Sequence, residues 1–191
     1  MSEVYFTSDL HFGHQKPFIY EVRGFDTVEE MNEAIIERYN SRVKDNDTVY
    51  ILGDCICGID VETGTKLLNR LRGHKLLCIG NHDSDARLKY WMQNEVFEAY
   101  EFAFRFKYKK WGFYCTHFPT IVGNYDSPKW LGLYAHTHQS AQWEDEFSPN
   151  YQTANMYNVG VDAHDCYPVH IDEVLARVKA EIEKERIIYH G

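Results

Sequence analysis

The sequence predicts an α/β fold, read as one domain spanning residues 1–191, and three observations carry that expectation. Short apolar runs alternate with segments of helical period through the first half. Each run breaks off at a cluster of Asp, Asn and His residues. The second half then switches to alternating aromatic and polar residues. A rhythm of strand, helix and strand argues for a sheet covered by helices.

Val4 to Ser8 is short, apolar and rich in β-branched or aromatic residues, and it runs into Asp9-Leu10-His11-Phe12-Gly13-His14. This reads as a strand feeding a polar loop. Thr27 with Glu30 forms a capping box ahead of Val28, Met31, Ile35 and Tyr39, whose spacing predicts a helix ending near Val43. Asp45-Asn46-Asp47 is a turn, and Thr48 to Leu52 is a second strand that stops at Gly53-Asp54. Asp60 is placed to cap a helix carrying Leu67, Leu68 and Leu71, with Gly73 as its terminator. Lys75 to Ile79 is a third strand, ending at Gly80-Asn81-His82-Asp83.

Val96 to Tyr108 and Trp111 to Thr116 alternate around Lys109-Lys110 and predict an antiparallel hairpin, closed by His117. A loop from Phe118 to Trp130 precedes Leu131 to Ala135 and then His136-Thr137-His138. Met156 to Val161 is a further strand, and Asp172 is placed to cap a last helix through Val174, Leu175, Val178 and Ile182.

Composition narrows the function classes. With 191 residues, 44% of them hydrophobic, the chain can bury a core without disulfides. A net charge of -9 opposes general adhesion to nucleic acid or anionic membrane, although bound cations can still create a local phosphate site. The five cysteines are odd in number, and nothing at the N-terminus resembles the apolar core of a signal peptide, so a reducing cytoplasm is expected. No apolar run approaches the roughly 20 residues that span a bilayer, so no membrane anchor is expected.

Asp9-x-His11 and His136-x-His138 each set two metal-ligand side chains at i and i+2, which share one face of an extended segment. Oxygen and nitrogen donors of this kind suit Mn, Fe, Co, Ni or Zn, and a carboxylate such as Asp54 can bridge two ions. Singly, an Asp at a strand end is an ordinary turn former. As an ordered series after successive strands, the clusters converge at one sheet edge, where α/β proteins place their sites.

In that order the motifs resemble the calcineurin-like metallophosphoesterases, whose pattern runs D-x-H, G-D, G-N-H-D or G-N-H-E, H, and G-H-x-H. The resemblance extends from Asp9 to His138 and departs only at Ala135, where the family usually has glycine. It implies a four-layer α/β/β/α sandwich of two mixed sheets flanked by helices. It also implies two divalent ions, manganese foremost, with Asp9, His11, Asp54 and His138 on one and Asp54, Asn81, His117 and His136 on the other. A hydroxide generated between them would attack phosphorus in line. His82, uncoordinated in the family pattern, would then be the general acid. Asp83 reads either as the residue that orients its ring or as a helix cap.

His14 is a candidate phosphate contact. Tyr125, Asp126 and Trp130 are candidates for a substrate wall, with core as the alternative for Trp130, and Asp162 and His164 read as a turn. Cys55 and Cys57 lack the second ligand pair of a zinc finger, and buried free cysteines behave as small hydrophobes. The resemblance leaves a small-molecule phosphate ester or nucleotide as the expected substrate. An inactive scaffold is disfavoured because His82 and every ligand position are present. A nuclease is disfavoured because no basic stripe exists. The arginines that protein phosphatases carry after these motifs are missing.

Overall fold

A computed structural model of the chain describes residues 2–122, 129–143 and 152–190, without the side chains of 185, 186 and 188–190. Strands β1 (Val4–Thr7), β2 (Thr48–Ile51), β3 (His74–Cys78) and β4 (Ala99–Glu101) run parallel in the order β4-β3-β2-β1. Helices α1 (Pro17–Tyr20), α2 (Val28–Arg42), α3 (Val61–Leu68) and α4 (Asp85–Gln93) make the connections that parallel pairing requires. The second sheet has the order β5-β6-β7-β8: β5 (Ala103–Tyr108) is antiparallel to β6 (Trp111–Thr116), and β7 (Trp130–Tyr134) and β8 (Met156–Asn158) continue in parallel. A 3-10 helix, Val161–His164, leads to β9 (Val169–His170), which closes the first sheet antiparallel to β1, and to α5 (Ile171–His190). The architecture is therefore two mixed sheets with flanking helices.

Local chemistry explains most boundaries. Thr27 Oγ1 accepts from the Glu30 amide, and the Glu30 carboxylate accepts from the Asp26 amide, so the α2 start is satisfied from both sides. Asp60 caps α3 by accepting from the Thr63 amide at 2.8 Å. α3 ends at Leu68, short of Gly73, and Asp172 lies inside the first turn of α5 with its carboxylate on Lys109 rather than capping. Val96 to Tyr108 is not one hairpin arm. The segment is split at Phe102, so Ala99–Glu101 extends the first sheet and Ala103–Tyr108 begins the second.

Two apolar clusters hold these layers. Met31, Ile35, Tyr39, Leu68, Leu88 and Trp91 pack helices α2 to α4 onto Val49, Ile51 and Leu77 of the first sheet. The second cluster joins Phe6, Leu52 and Cys78 to Phe113, Cys115, Leu131 and Leu133 of the other sheet, with Ile171, Val174 and Val178 of α5. Phe6, Phe106 and Phe113 stack nearly parallel across this layer, the last two 5.2 Å apart. All five cysteines are free, and Cys55, Cys78, Cys115 and Cys166 are buried as small apolar groups. Among the described residues, no helix is long and apolar enough to cross a membrane.

Candidate metal centre

β1, β2 and β3 deliver their following loops to one edge of the first sheet, and β6, β7 and β8 do the same in the second. An isolated bridge between Ser8 and Gly160 ties the two edges together. Asp9 and His11 follow β1, Asp54 follows β2, Asn81 and His82 follow β3, His117 follows β6, and His136 and His138 follow β7. Gly53 and Gly80 let the second and third loops touch. A Cβ on Gly53 would sit 2.7 Å from both the Gly80 Cα and His117 Nδ1, and one on Gly80 would overlap Asp54 Oδ1.

The paired donors do not converge by strand alternation. Asp9, His11, Asp54, His136 and His138 all have left-handed backbones, with φ between 46° and 69°. Asp and His tolerate this region better than most residues, yet each such position costs on the order of 1–3 kcal/mol. The local strain aims i and i+2 inward from a bent chain.

The matched motifs come together in two donor groups, Asp9 with His11 and His138, and Asp54 with His117 and His136, and a third group joins His11 and His82 to Cys57. His11 Nε2 lies 3.2 Å from His138 Nε2, and His117 Nε2 lies 3.0 Å from Asn81 Oδ1 and 3.1 Å from His136 Nδ1. Asp54 Oδ2 stands between the groups, 3.6 Å from His11 Nε2 and 3.5 Å from His117 Nε2. Donors about 2.0–2.1 Å from a shared tetrahedral ion are spaced about 3.3 Å apart, so these separations fit cation binding. Asp9 Oδ1 is buried with no hydrogen-bond partner among the described residues, as expected of a donor that serves an ion.

The ring nitrogens are sorted in the same sense. His117 Nδ1 faces the Leu52 carbonyl at 2.7 Å, and His138 Nδ1 faces Asp162 Oδ2 at 3.1 Å. A proton on each Nδ1 leaves each Nε2 lone pair turned to the centre. Burial pushes the Asp9 carboxyl up to about 6 and, with its histidine and arginine neighbours, His11 down to about 2. Burial and the neighbouring His117 also lower His136. Burial opposes charge on His138, but its bond to Asp162 and the nearby Asp9 raise it overall.

Asp162, legible in the sequence only as a turn, has the largest unforeseen role. Its carboxylate takes a two-point contact from Arg23, at 2.9 and 3.0 Å, while holding His138. Arg23, 2% exposed in its side chain, also donates to the Asp9 and Leu10 carbonyls, so one guanidinium braces the first loop against the last. Burial would raise the Asp162 carboxyl, but Arg23 and His138 hold it well below the usual range. Asp162→Asn is expected to weaken binding of the first ion by about 10–100-fold, read by metal titration. It is also expected to lower Tm, because Arg23 loses its charge partner. Unchanged affinity would remove Asp162 from the centre.

Asp83 neither orients the His82 ring nor caps α4, whose N-cap is Ser84. Its buried carboxylate accepts from the backbone amides of Asp54, Cys55 and Gly80, clamping the second and third loops together. Burial is the main cause of its raised pKa. His82 sits at the mouth, 42% exposed, with Nε2 4.0 Å from Asp54 Oδ2. His14 packs edge-on to His11 at 5.7 Å, and its Nδ1 accepts from the Lys16 amide. Trp130 lies against Gly112 and beneath Arg105, in a structural setting. Tyr125 and Asp126 lie outside the described residues. A hollow of about 400 Å³ lined by Trp143, His164 and Arg177 contains none of the donors.

Comparison with known proteins places this geometry. The uncharacterized protein MJ1445 of Methanocaldococcus jannaschii is 30% identical over 189 residues, covering 98% of this chain and 96% of its own. The gene 66 protein of Mycobacterium phage L5 is 30% identical over 155 residues, 75% of this chain and 71% of its own. The crystal structure of AQ665, a protein of unknown function from Aquifex aeolicus, shares the fold with a TM-score of 0.67 at 22% identity, over 92% of this chain and 99% of that one. The calcineurin-like phosphoesterase pattern matches residues 2–177, and with that span the chain belongs to the calcineurin-like phosphoesterase family of metal-dependent phosphate-ester hydrolases.

Proposed function

We propose that the chain hydrolyses a phosphomonoester or phosphodiester of a small molecule or nucleotide, using two divalent cations, manganese first among them. The observation that supports this most directly is the position of Asp54 Oδ2 between the two donor groups. Asp9, His11, Asp54 and His138 would hold one cation, and Asp54, Asn81, His117 and His136 the other. Two cations held there would offset charge on the phosphoryl oxygens and make water a nucleophile at neutral pH. The remaining work falls to the chain. His82, the exposed imidazole at the mouth, donates a proton from Nε2 to the leaving oxygen. Its amide donates to Asp54 Oδ1 at 2.8 Å, which fixes the acid relative to the bridging carboxylate. His14 stands at the rim as a phosphate contact. Phe18, 66% exposed beside His14, and Phe118, 49% exposed over His136, offer apolar surface to an organic leaving group.

The test is hydrolysis of bis-p-nitrophenyl phosphate and p-nitrophenyl phosphate by metal-stripped protein, with Mn, Co, Ni, Zn or Mg added back. Manganese is expected to restore turnover, and the diester-to-monoester ratio assigns the substrate class. A protein that binds two ions and cleaves neither compound would instead point to a very selective enzyme or to a scaffold built on this fold.

A further inference from the structure

Cys57 takes no part in the chemistry above, yet it is the half-exposed thiol of the chain and it faces His82. Its Sγ lies 3.8 Å from His82 Nδ1, on the side of the ring away from the nitrogen that approaches Asp54. His11 supplies a third donor, with all three ligand atoms within 4.8 Å of one another. A tetrahedral ion with bonds of about 2.3 Å to sulfur and 2.0–2.1 Å to nitrogen sets S and N about 3.6 Å apart, close to the observed spacing.

Three hydrogen-bonded loops hold these donors in place. The Cys57 amide donates to the Phe12 carbonyl at 3.0 Å, and Phe12 pairs with Ile56 in an isolated parallel bridge, locking the loop of His11 to that of Cys57. Arg87 donates to the carbonyls of Ile56 and His82 at 2.9 and 2.6 Å, fixing the Cys57 loop against the His82 loop. The spacing is therefore a property of the backbone framework.

We propose that Cys57, His82 and His11 form a second, sulfur-containing cation site, overlapping the first at His11, that takes a thiophilic divalent ion such as zinc or cadmium and arrests turnover when filled. The hard donors of Asp9 and Asp54 suit manganese, whereas a thiolate selects softer ions. The thiol proton passes to solvent as the ion binds. The ion then occupies the second nitrogen of His82, which can no longer act as a cationic acid, and it competes with the first ion for His11. The arrest of turnover rests on the general-acid reading of His82, but the site itself does not.

The experiment is a cadmium titration of the manganese-loaded protein and of its Cys57→Ser variant, following thiolate-to-metal charge-transfer absorption and turnover in the same samples. Serine keeps a hydrogen-bonding group beside His82, so the variant is expected to retain manganese-supported turnover. The parent is expected to develop the band with about one cadmium per chain and to lose activity in parallel, while Cys57→Ser shows no band and at least about tenfold weaker inhibition. Superimposable absorption titrations of the two proteins would overturn the site. A band confined to the parent with no loss of turnover would leave a Cys57 cation site standing, overturn the arrest of turnover, and count against both the acid role of His82 and the competition for His11.

Discussion

Asp54→Ala is expected to leave a folded protein that holds neither ion and turns over no phosphate ester. Asp54 Oδ2 lies within 3.6 Å of both His11 and His117, one in each donor group, so its loss opens both groups at once. The change also removes the acceptor of the His82 amide, a loss worth about 1 kcal/mol, while relieving the burial of a carboxylate that is 2% exposed. Fold stability therefore changes little compared with metal content. Elemental analysis after dialysis is the deciding measurement, with Asp54→Asn as the variant that keeps the shape and the Oδ1 acceptor. Two ions retained per chain would remove Asp54 from its bridging place.

His82→Ala should separate chemistry from metal binding. The side chain is 42% exposed and bonds to neither sheet, so both ions are expected to be retained and the folding stability to stay within about 0.5 kcal/mol of the parent. Turnover of esters with poor leaving groups is expected to fall by about 10²–10⁴-fold, and that of nitrophenyl esters by less, because nitrophenolate leaves without a proton. An equal loss across leaving groups would point to positioning rather than acid catalysis, and no loss on any of them would end the acid assignment.

What the sequence revealed, it revealed through short-range chemistry. Gly53-Asp54 and Gly80-Asn81-His82 are legible because the glycines are demanded by a contact between two loops and the polar residues come directly after them. The first three strands and α2 were legible from periodicity and caps. The division at Phe102 was not, because Val96 to Tyr108 keeps one alternating pattern while the chain passes from one sheet to the other. The left-handed turns at Asp9, His11, Asp54, His136 and His138 were also hidden, since i and i+2 spacing suits an extended chain equally well. Asp83 was read through its neighbour His82 or as a helix cap, whereas its partners are the backbone amides of Asp54 and Cys55 in another loop and of Gly80 in its own. Asp162 and Arg23 had no local signal at all: 139 residues separate them, and neither has meaning without the other.

That separation bears on how the protein comes into being. The recognisable motifs end at His138, but the buried cation of Arg23 has no carboxylate until Asp162 is synthesised, and β1 keeps an open edge until Val169 and His170 arrive. A nascent chain carrying every motif thus still holds an unpaired charge and an unclosed sheet. Contacts of such long sequence range are formed late and slowly, and exposed edges invite association with other chains meanwhile. The segment from Asp162 to His170 therefore works as a closing step of folding, turning a set of well-chosen side chains into a centre only when β9 docks.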